Sequence, residues 1–371
     1  RTQPGHDLVL RAALTQATRF VNGEVSVGGL RSDGLLRGFT VRGVYVGDTA
    51  GRPFVLADSL RVSYSISDLL RRNMVLAPAD IWSPRVVVET LHGDLRSNVA
   101  RIMGNLGGGG PNVDEAPELA QENLLEAGIF ALAQENRRET GFSVSLRQTT
   151  IHDGEVLIRL PIDGSSLSGR GVHERLEGAR GGNYRLLHFR QIEARVSEAD
   201  LLGPAVSGQS VHLERLSFVG QVLEEPFTVT ELSGDFLREG SSVQLEFDQL
   251  WMPGSEFSGE AKLSWGGPER FDIEVDIEAN VLRFADFQWL EPRLPAGGGR
   301  LSLRVSGPLN RTEWRIAGAD LEVGGSRVRG EFGLNLGQEM RFADTDLEFR
   351  PLHLRELAAW LPEPLPFEGT V

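Results

Sequence analysis

The chain has 371 residues, of which 40% are hydrophobic and 24% charged, so we expect an ordered fold over most of its length. Its net charge of −14 disfavours binding to the phosphate backbone of nucleic acids, and the absence of cysteine excludes disulfides, thiolate metal sites and cysteine nucleophiles. No run of 18 or more apolar residues occurs, so the sequence predicts no membrane-spanning helix. The 44 glycines exceed the usual share of about 7% and favour a β-rich fold with many turns.

The N-terminal part, residues 1–104, is predicted to hold a helix followed by a first β module. Apolar residues at helical spacing between His6 and Val21 predict a short amphipathic helix. Farther on, Leu60, Val62 and Tyr64 alternate with polar residues, which is typical of a strand with one apolar side. The turn-forming residues 47–53 just before this strand predict a hairpin.

Residues 105–140 are predicted to form a glycine-rich loop and one amphipathic helix. Four consecutive glycines precede Pro111, and a broad apolar stripe follows over residues 117–138. The glycine run does not have the sequence context of a phosphate-binding loop, because no Lys-Ser or Lys-Thr follows it. We therefore interpret it as a linker.

Residues 141–371 are predicted to be repeated β modules. His152-Asp153-Gly154 has the chemistry of a tight turn and predicts a hairpin at that point. From about residue 210 onward, apolar residues alternate with polar ones in one segment after another. Strands of this kind are typical of antiparallel sheets with one solvated face, and the connections look too short for parallel crossovers, so we expect a meander.

A weak internal repeat accompanies these strands. Trp289, Leu294 and Gly298 recur as Trp360, Leu365 and Gly369, at the same offset of 71 residues. The two copies span residues 286–299 and 357–370, and each follows a short segment with helical spacing. A repeated module is what an extended β architecture would produce.

The apolar side of such a sheet must be covered, because each Å² that stays wet costs about 25 cal/mol. No long helix is predicted after about residue 195, so the cover is another sheet, the same sheet folded over, or a ligand. Periodicity leaves a closed sandwich and an open half-pipe as alternatives. In an open groove, the candidate lining residues are Leu60, Val62, Tyr64, Val243, Leu245, Phe247, Phe257, Leu263, Phe271, Ile273, Val275, Leu303 and Phe332.

Two stretches resemble the AsmA-like and TamB-type proteins of the bacterial envelope. Residues 28–46 and 48–62 are similar to a family pattern, G-x-L-x-L-x-G-V-x-L-x-D-x-x-G, that runs into A-x-x-L-x-V-x-Y-S-x-x-x-L-L. The similarity continues through Leu69 and Leu70 to Trp82-Ser83-Pro84, and residues 284–298 resemble the recurring strand module of that family.

This resemblance implies a mainly-β fold: an elongated, curved antiparallel sheet folded into an apolar groove, with a few short helices. It implies a non-catalytic protein of the periplasm of a diderm bacterium, anchored in the inner membrane, that carries phospholipid between inner and outer membranes. It also implies an outer-membrane β-barrel partner reached through a C-terminal domain. We expect the chain to be a piece of a longer protein, without the anchor helix and that domain.

Sequence motifs of enzymes and metal sites are missing, which predicts a protein that is not an enzyme and needs no metal or cofactor. None of the seven histidines forms an HExxH motif or an i,i+4 pair. The acidic row Asp272, Glu274, Asp276 and Glu278 is interpreted as a solvated outer face. The alternative function is an envelope scaffold that assists outer-membrane β-barrel assembly by strand augmentation, and a β-rich carbohydrate-active enzyme is the third hypothesis.

Overall fold

The structure is a computed structural model that describes residues 23–32, 38–64, 73–90, 97–103, 143–162, 171–177, 181–202, 209–239, 241–265, 271–308, 311–336 and 341–351. Of these residues 82% lie in β-strands, which confirms the mainly-β fold class. The predicted helices at residues 6–21 and 117–138, the glycine-rich loop and the second repeat copy lie outside the described residues.

The chain divides into two compact units. Unit 1 comprises Arg1–Gln209 with Phe218–Glu224, and unit 2 comprises Ser210–Ser217 with Glu225–Val371. The described elements of unit 1 are β1 (Gly23–Ser32), β2 (Phe39–Asp48), β3 (Pro53–Tyr64), β4 (Asn73–Trp82), β5 (Arg85–Glu89), helix α1 (Asn98–Met103), β6 (Ser143–Ile162), β7 (Val172–Leu176) and β8 (Gly182–Leu202). Strand β9 (Gln209–Gln221) contributes residues to both units.

The first three strands of unit 1 pair in chain order, and β2 and β3 form the predicted hairpin. Strand β1 pairs antiparallel with β2, and β2 pairs with β3 across the turn after Asp48. Asp48 Oδ1 accepts hydrogen bonds from the backbone N–H groups of Ala50 and Arg52, each at 2.9 Å, which closes the turn. Burial would raise the pKa of the Asp48 carboxyl, but hydrogen bonds from the backbone and side chain of Arg52 outweigh it and hold this pKa below its usual value.

The sequence predicted antiparallel strands throughout, but unit 1 also contains parallel pairs. Strand β6 runs parallel to β4 and β5, with Asn73 opposite Ser143 and Arg85 opposite Glu155. The chain leaves β5 at Glu89 and returns at Ser143, and this connection is long enough for a parallel crossover. The expectation of an antiparallel sheet was therefore wrong for β4, β5 and β6, whereas the prediction of short connections applied to residues 141–371 and not to this connection.

The predicted hairpin at His152-Asp153-Gly154 is also wrong. Strand β6 continues through these residues and pairs with β8 on both sides of a bulge at Gly154. Asp153 has a left-handed φ of 51°. Asp-Gly suits such a bulge as well as a tight turn, because both need a residue that tolerates positive φ.

Helix α1 is tied to the sheet of unit 1 by a buried asparagine. Asn98 is fully buried; its side chain donates to the Val87 carbonyl at 2.6 Å and accepts from the Glu89 N–H at 2.9 Å. These bonds satisfy backbone groups at the end of β5 that water cannot reach. Ile102, one turn farther along α1, is also buried.

Unit 2 is a meander, as predicted. Its strands are β10 (Phe227–Glu239), β11 (Ser242–Trp251), β12 (Glu256–Trp265), β13 (Phe271–Arg283), β14 (Gly297–Pro308), β15 (Thr312–Val323), β16 (Ser326–Leu336) and β17 (Arg341–Phe349). From β10 to β17 each strand pairs antiparallel with the next along the chain. A 3₁₀ helix, Phe284–Phe287, follows β13 and is the only helix among the described residues of this unit.

Candidate apolar binding face

The candidate residues of unit 2 lie in register on one side of its sheet. One row crosses seven strands: Leu245 pairs with Ala261, Ala261 with Val275 and Val275 with Val305, and the row continues through Trp314 and Leu334 to Phe342. The next row contains Phe247, Gly259, Ile277, Leu303, Ile316 and Phe332. Alternation puts all of these residues on the same side, which we call the apolar face.

One end of this face is only partly shielded from water. Val243 pairs with Leu263, and Leu263 pairs with Ile273, in the row beyond Leu245. These three side chains and that of Val275 are half-buried. We call these four residues the open end of the apolar face.

The other end is a closed hydrophobic core. Phe247, Phe257, Ala279, Leu282 and Phe284 form a buried cluster, and Phe257 retains 9% of its exposure. Residues 284–294, which we call the capping segment, supply Phe284, Phe287 and Leu294 to this core. The ring of Phe287 meets that of Phe257 edge-on, with centroids 5.9 Å apart. We call the buried cluster the covered end.

Hydrogen bonds hold the capping segment in place. Asp286 Oδ2 accepts from the Ser255 hydroxyl at 2.6 Å and from the Gly254 N–H at 3.0 Å. The Ser255 oxygen in turn accepts from the Arg283 N–H at 2.8 Å, and this serine is 1% exposed. Farther along, Trp289 stacks on Phe227 with centroids 4.5 Å apart. Residues 286–294 of this segment belong to the first copy of the sequence repeat, which continues to residue 299 in β14.

The opposite side of the sheet of unit 2 is charged. Within the acidic row, Asp272, Glu274 and Glu278 are exposed, and the Ser302 hydroxyl donates to the Glu278 carboxylate, with its oxygen 2.9 Å from Oε1 and 2.8 Å from Oε2. Arg304 donates from Nε to Asp276 Oδ2 at 3.0 Å. Hydrogen bonds from Arg327 and Arg329 hold the pKa of the Asp320 carboxyl well below its usual value. These contacts agree with the interpretation of a solvated outer face.

The remaining candidates lie elsewhere or are not described at the side-chain level. Leu60 and Val62 belong to unit 1, where Leu60 pairs with Ile81 and Val62 pairs with Ala79. Val62 is 2% exposed and is a core residue, whereas Leu60 is half-buried. The side chains of Tyr64 and Phe271 lie outside the described residues, although both backbones belong to strands.

Several residues of the apolar face were missing from the sequence-based candidates. Ile277, Val305, Trp314 and Ile316 complete rows that contain predicted residues. Ile277, Val305 and Trp314 each lie between two polar residues, so the alternating signal was present in the sequence. The signal was weaker at Ile316, which Ala317 follows. The sequence alone did not give the strand register, which decides which alternating residues share a row.

Within the described ranges, no group of three or more histidine, cysteine or acidic residues could hold a metal ion. The helices described here are also too short to cross a bilayer. No family model, curated protein or solved structure matches this chain. The geometry of the apolar face is therefore the observation from which a function has to be inferred.

Proposed function

We propose that this chain binds the acyl chains of phospholipids along the open end of its apolar face. The observation that supports the proposal is the row of aliphatic side chains at that end, which stay half-buried while the covered end is closed. Acyl chains are long and apolar, and they would remove this surface from water at a gain of about 25 cal/mol per Å². Such contacts are non-directional, so they let a chain slide along the sheet.

We further propose that the chain belongs to a periplasmic protein that carries phospholipid between the inner and outer membranes. The support for this wider role is the resemblance of residues 28–62 and 284–298 to AsmA-like and TamB-type proteins. The same resemblance supports an inner-membrane anchor and an outer-membrane β-barrel partner. The proposed action has no chemical step, so binding and release are its measurable events.

A second candidate function is strand augmentation of client β-proteins. It is favoured by β17, the last described strand, on which Phe342 is 69% exposed and Phe349 is 37% exposed. Exposed aromatic side chains on a strand are typical of a surface that pairs with another chain. Under this hypothesis the protein would capture an extended peptide and not a lipid.

Photo-crosslinking separates the two candidates. Benzoylphenylalanine placed at Ile273 should crosslink to phospholipid when the protein is produced in a diderm host, and native mass spectrometry should detect the adduct. The matched control carries the same amino acid at Glu274, one residue along β13 on the opposite side of the sheet. The proposal would be contradicted if phospholipid crosslinked to neither position, or to both equally. Crosslinks from Phe342 to β-barrel proteins, without lipid at Ile273, would favour the second candidate.

Ile273→Asp provides a functional test of the same face. A charged side chain at the open end should abolish lipid co-purification, because a carboxylate in an apolar contact costs several kcal/mol. The fold should survive, because Ile273 is half-buried and lies outside the covered end. If this variant instead unfolds, the apolar face is the core of a closed sandwich and the proposal is wrong.

A further inference from the structure

The covered end of the apolar face continues beyond the capping segment to an exposed phenylalanine. Leu282, which lies in the buried cluster, pairs with Gly299, and the row continues through Leu321 and Val328 to Phe349 on β17. Residues paired directly across neighbouring strands share a side of the sheet, so Phe349 faces the same side as Leu282. Leu282 and Val328 are each 8% exposed, whereas Phe349 is 37% exposed. The row is therefore buried at β13 and β16 and emerges into solvent at β17.

The chain that follows this row is strongly apolar in sequence. Residues 352–367 contain five leucines, Trp360 and Phe367, but only three charged residues. They lie outside the described residues. Keeping such a segment in water would cost about 25 cal/mol for each Å² of its apolar surface. An exposed apolar surface and an apolar segment thus follow each other directly along the chain.

The internal repeat gives this segment a counterpart among the described residues. Trp289 and Leu294 of the capping segment recur as Trp360 and Leu365, at the offset of 71 residues. In the first copy, Leu294 packs against the buried cluster and Trp289 stacks on Phe227. The first copy follows β13 and the second follows β17, four strands later in the meander. The two copies therefore have the same order relative to the strands.

The connection after β17 is long enough for this segment to return to the row. The Arg350 N–H donates to the Arg327 carbonyl at 2.9 Å, so the chain still lies against its neighbour one residue after Phe349. Trp360 comes ten positions after Arg350. Ten residues span up to about 33 Å when fully extended, which is ample for a return over Val328.

We propose that residues 354–367 of this chain bind the surface formed by Val328, Leu347 and Phe349, as a second capping segment. Leu347 is half-buried and pairs with Gly330, two residues from Val328 and on the same side of the sheet. The contact is apolar on both sides, as it is between the first capping segment and the buried cluster. This surface belongs to the covered end, so the second capping segment does not depend on acyl-chain binding at the open end.

Phe342 stays uncovered under this assignment. It pairs with Leu334, in the row that runs through Val275 of the open end. Capping segments after β13 and after β17 would thus close the same end of the face twice and leave the row of Val275 uncapped from β13 to β17. Phe342 would remain available to a client strand, whereas Phe349 would not.

Photo-crosslinking of the whole chain tests the second capping segment. Benzoylphenylalanine at Phe349 should crosslink to a peptide within residues 354–367 of the same molecule, identified by mass spectrometry after proteolysis. Mixing unlabelled and isotope-labelled protein distinguishes crosslinks within one molecule from those between two. The matched control carries the same amino acid at Phe342, about 20 Å away on the same strand, and should give no crosslink to these residues.

Other occupants of this surface would overturn the proposal. Crosslinks from Phe349 to a second copy of the chain would assign the surface to a contact between copies. A phospholipid adduct at Phe349 would assign it to lipid binding, and the absence of any crosslink to residues 354–367 would leave the second capping segment without support. An intact Phe349 crosslink without phospholipid at Ile273 would instead contradict the acyl-chain proposal alone.

Hydrogen exchange provides a second measurement. Leu365→Asp should detach the second capping segment and make amide exchange in β17 about tenfold faster, while exchange in β12, which lies under the first capping segment, should not change. Glu363→Gln is the matched control in the same segment and should leave both strands unchanged. If β17 in Leu365→Asp exchanged at the wild-type rate, the segment would not cover this surface.

Discussion

The covered and open ends of the apolar face differ in burial although the same alternating pattern encodes both. Along β13, Ile273 belongs to the open end, whereas Ile277, four residues later on the same side, packs against the buried cluster. The difference comes from the capping segment, which folds back onto only one end. An apolar sheet face becomes a core or a binding surface according to what another part of the chain places over it.

Replacing the central aromatic residue of the covered end should have the largest effect on stability. Phe257→Ala leaves a cavity against Phe247 and Phe287, and we expect it to lower the free energy of unfolding by about 3–5 kcal/mol. Chemical denaturation measures this change. Phe342→Ala, at a position that is 69% exposed, is the control and should change stability by less than about 0.5 kcal/mol. Similar losses in both variants would show that the covered end is not a core.

Releasing the capping segment should make the covered end resemble the open end. Asp286→Ala deprives the buried Ser255 hydroxyl and the Gly254 N–H of their acceptor, at a cost of about 1–3 kcal/mol. We expect increased binding of an apolar fluorescent dye to the folded variant. Arg293→Ala removes an exposed ion pair within the same segment and should leave dye binding unchanged. A stable variant that binds no more dye would indicate that other contacts hold the segment.

Alanine substitutions at two isoleucines of β13 compare how much each end of the apolar face contributes to stability. Ile277→Ala should destabilise unit 2 by about 2–3 kcal/mol, and Ile273→Ala by about 1 kcal/mol, because only the first residue packs against the covered core. Denaturant unfolding of both variants gives the difference. Equal losses would mean that the open end is as well packed as the covered end.

The smallest expected effect is a pH dependence from an exposed pair between β9 and β10. His212 Nδ1 lies 2.6 Å from Asp235 Oδ1, and this hydrogen bond raises the pKa of His212 above 6.5. The protonated form is thus favoured in the folded state, so its contribution to stability is present below pH 6.5 and is lost as the pH rises through the folded-state pKa. Unfolding midpoints should fall slightly over that range. His212→Gln should flatten this dependence, and a variant that keeps the full dependence would assign it to another group.

Much of the fold of unit 2 could be predicted, because alternation such as Val243, Leu245 and Phe247 specifies a strand and its apolar side at once. The cover over Phe257 could not be predicted. The capping segment has no period of its own, and its contact with β12 depends on tertiary structure. For the same reason alternation did not distinguish Phe257, which is in a core, from Leu263, which is half-buried.

In unit 1 two predictions from the sequence were wrong, the hairpin at residues 152–154 and the antiparallel orientation of β6, and both have a physical reason. Asp153-Gly154 tolerates the left-handed backbone of a bulge as readily as that of a turn, so composition did not decide between them. The parallel pairing of β6 depends on where the chain returns after a long connection, which no local pattern encodes. A polar depression of unit 1, lined by Arg85, Glu155 and Arg190, could not be predicted either, because these residues meet only through the pairing of β6 with β5 and with β8.

The parallel pairing in unit 1 has a consequence for the order of folding. In unit 2, partners such as Val323 and Ser326 are close along the chain, so hairpins there close at low entropic cost. In unit 1, Asn73 must find Ser143, 70 positions away. Since folding rates fall with mean sequence separation of contacts, we expect unit 2 to acquire native hydrogen-exchange protection before unit 1, even though unit 1 leaves the ribosome first.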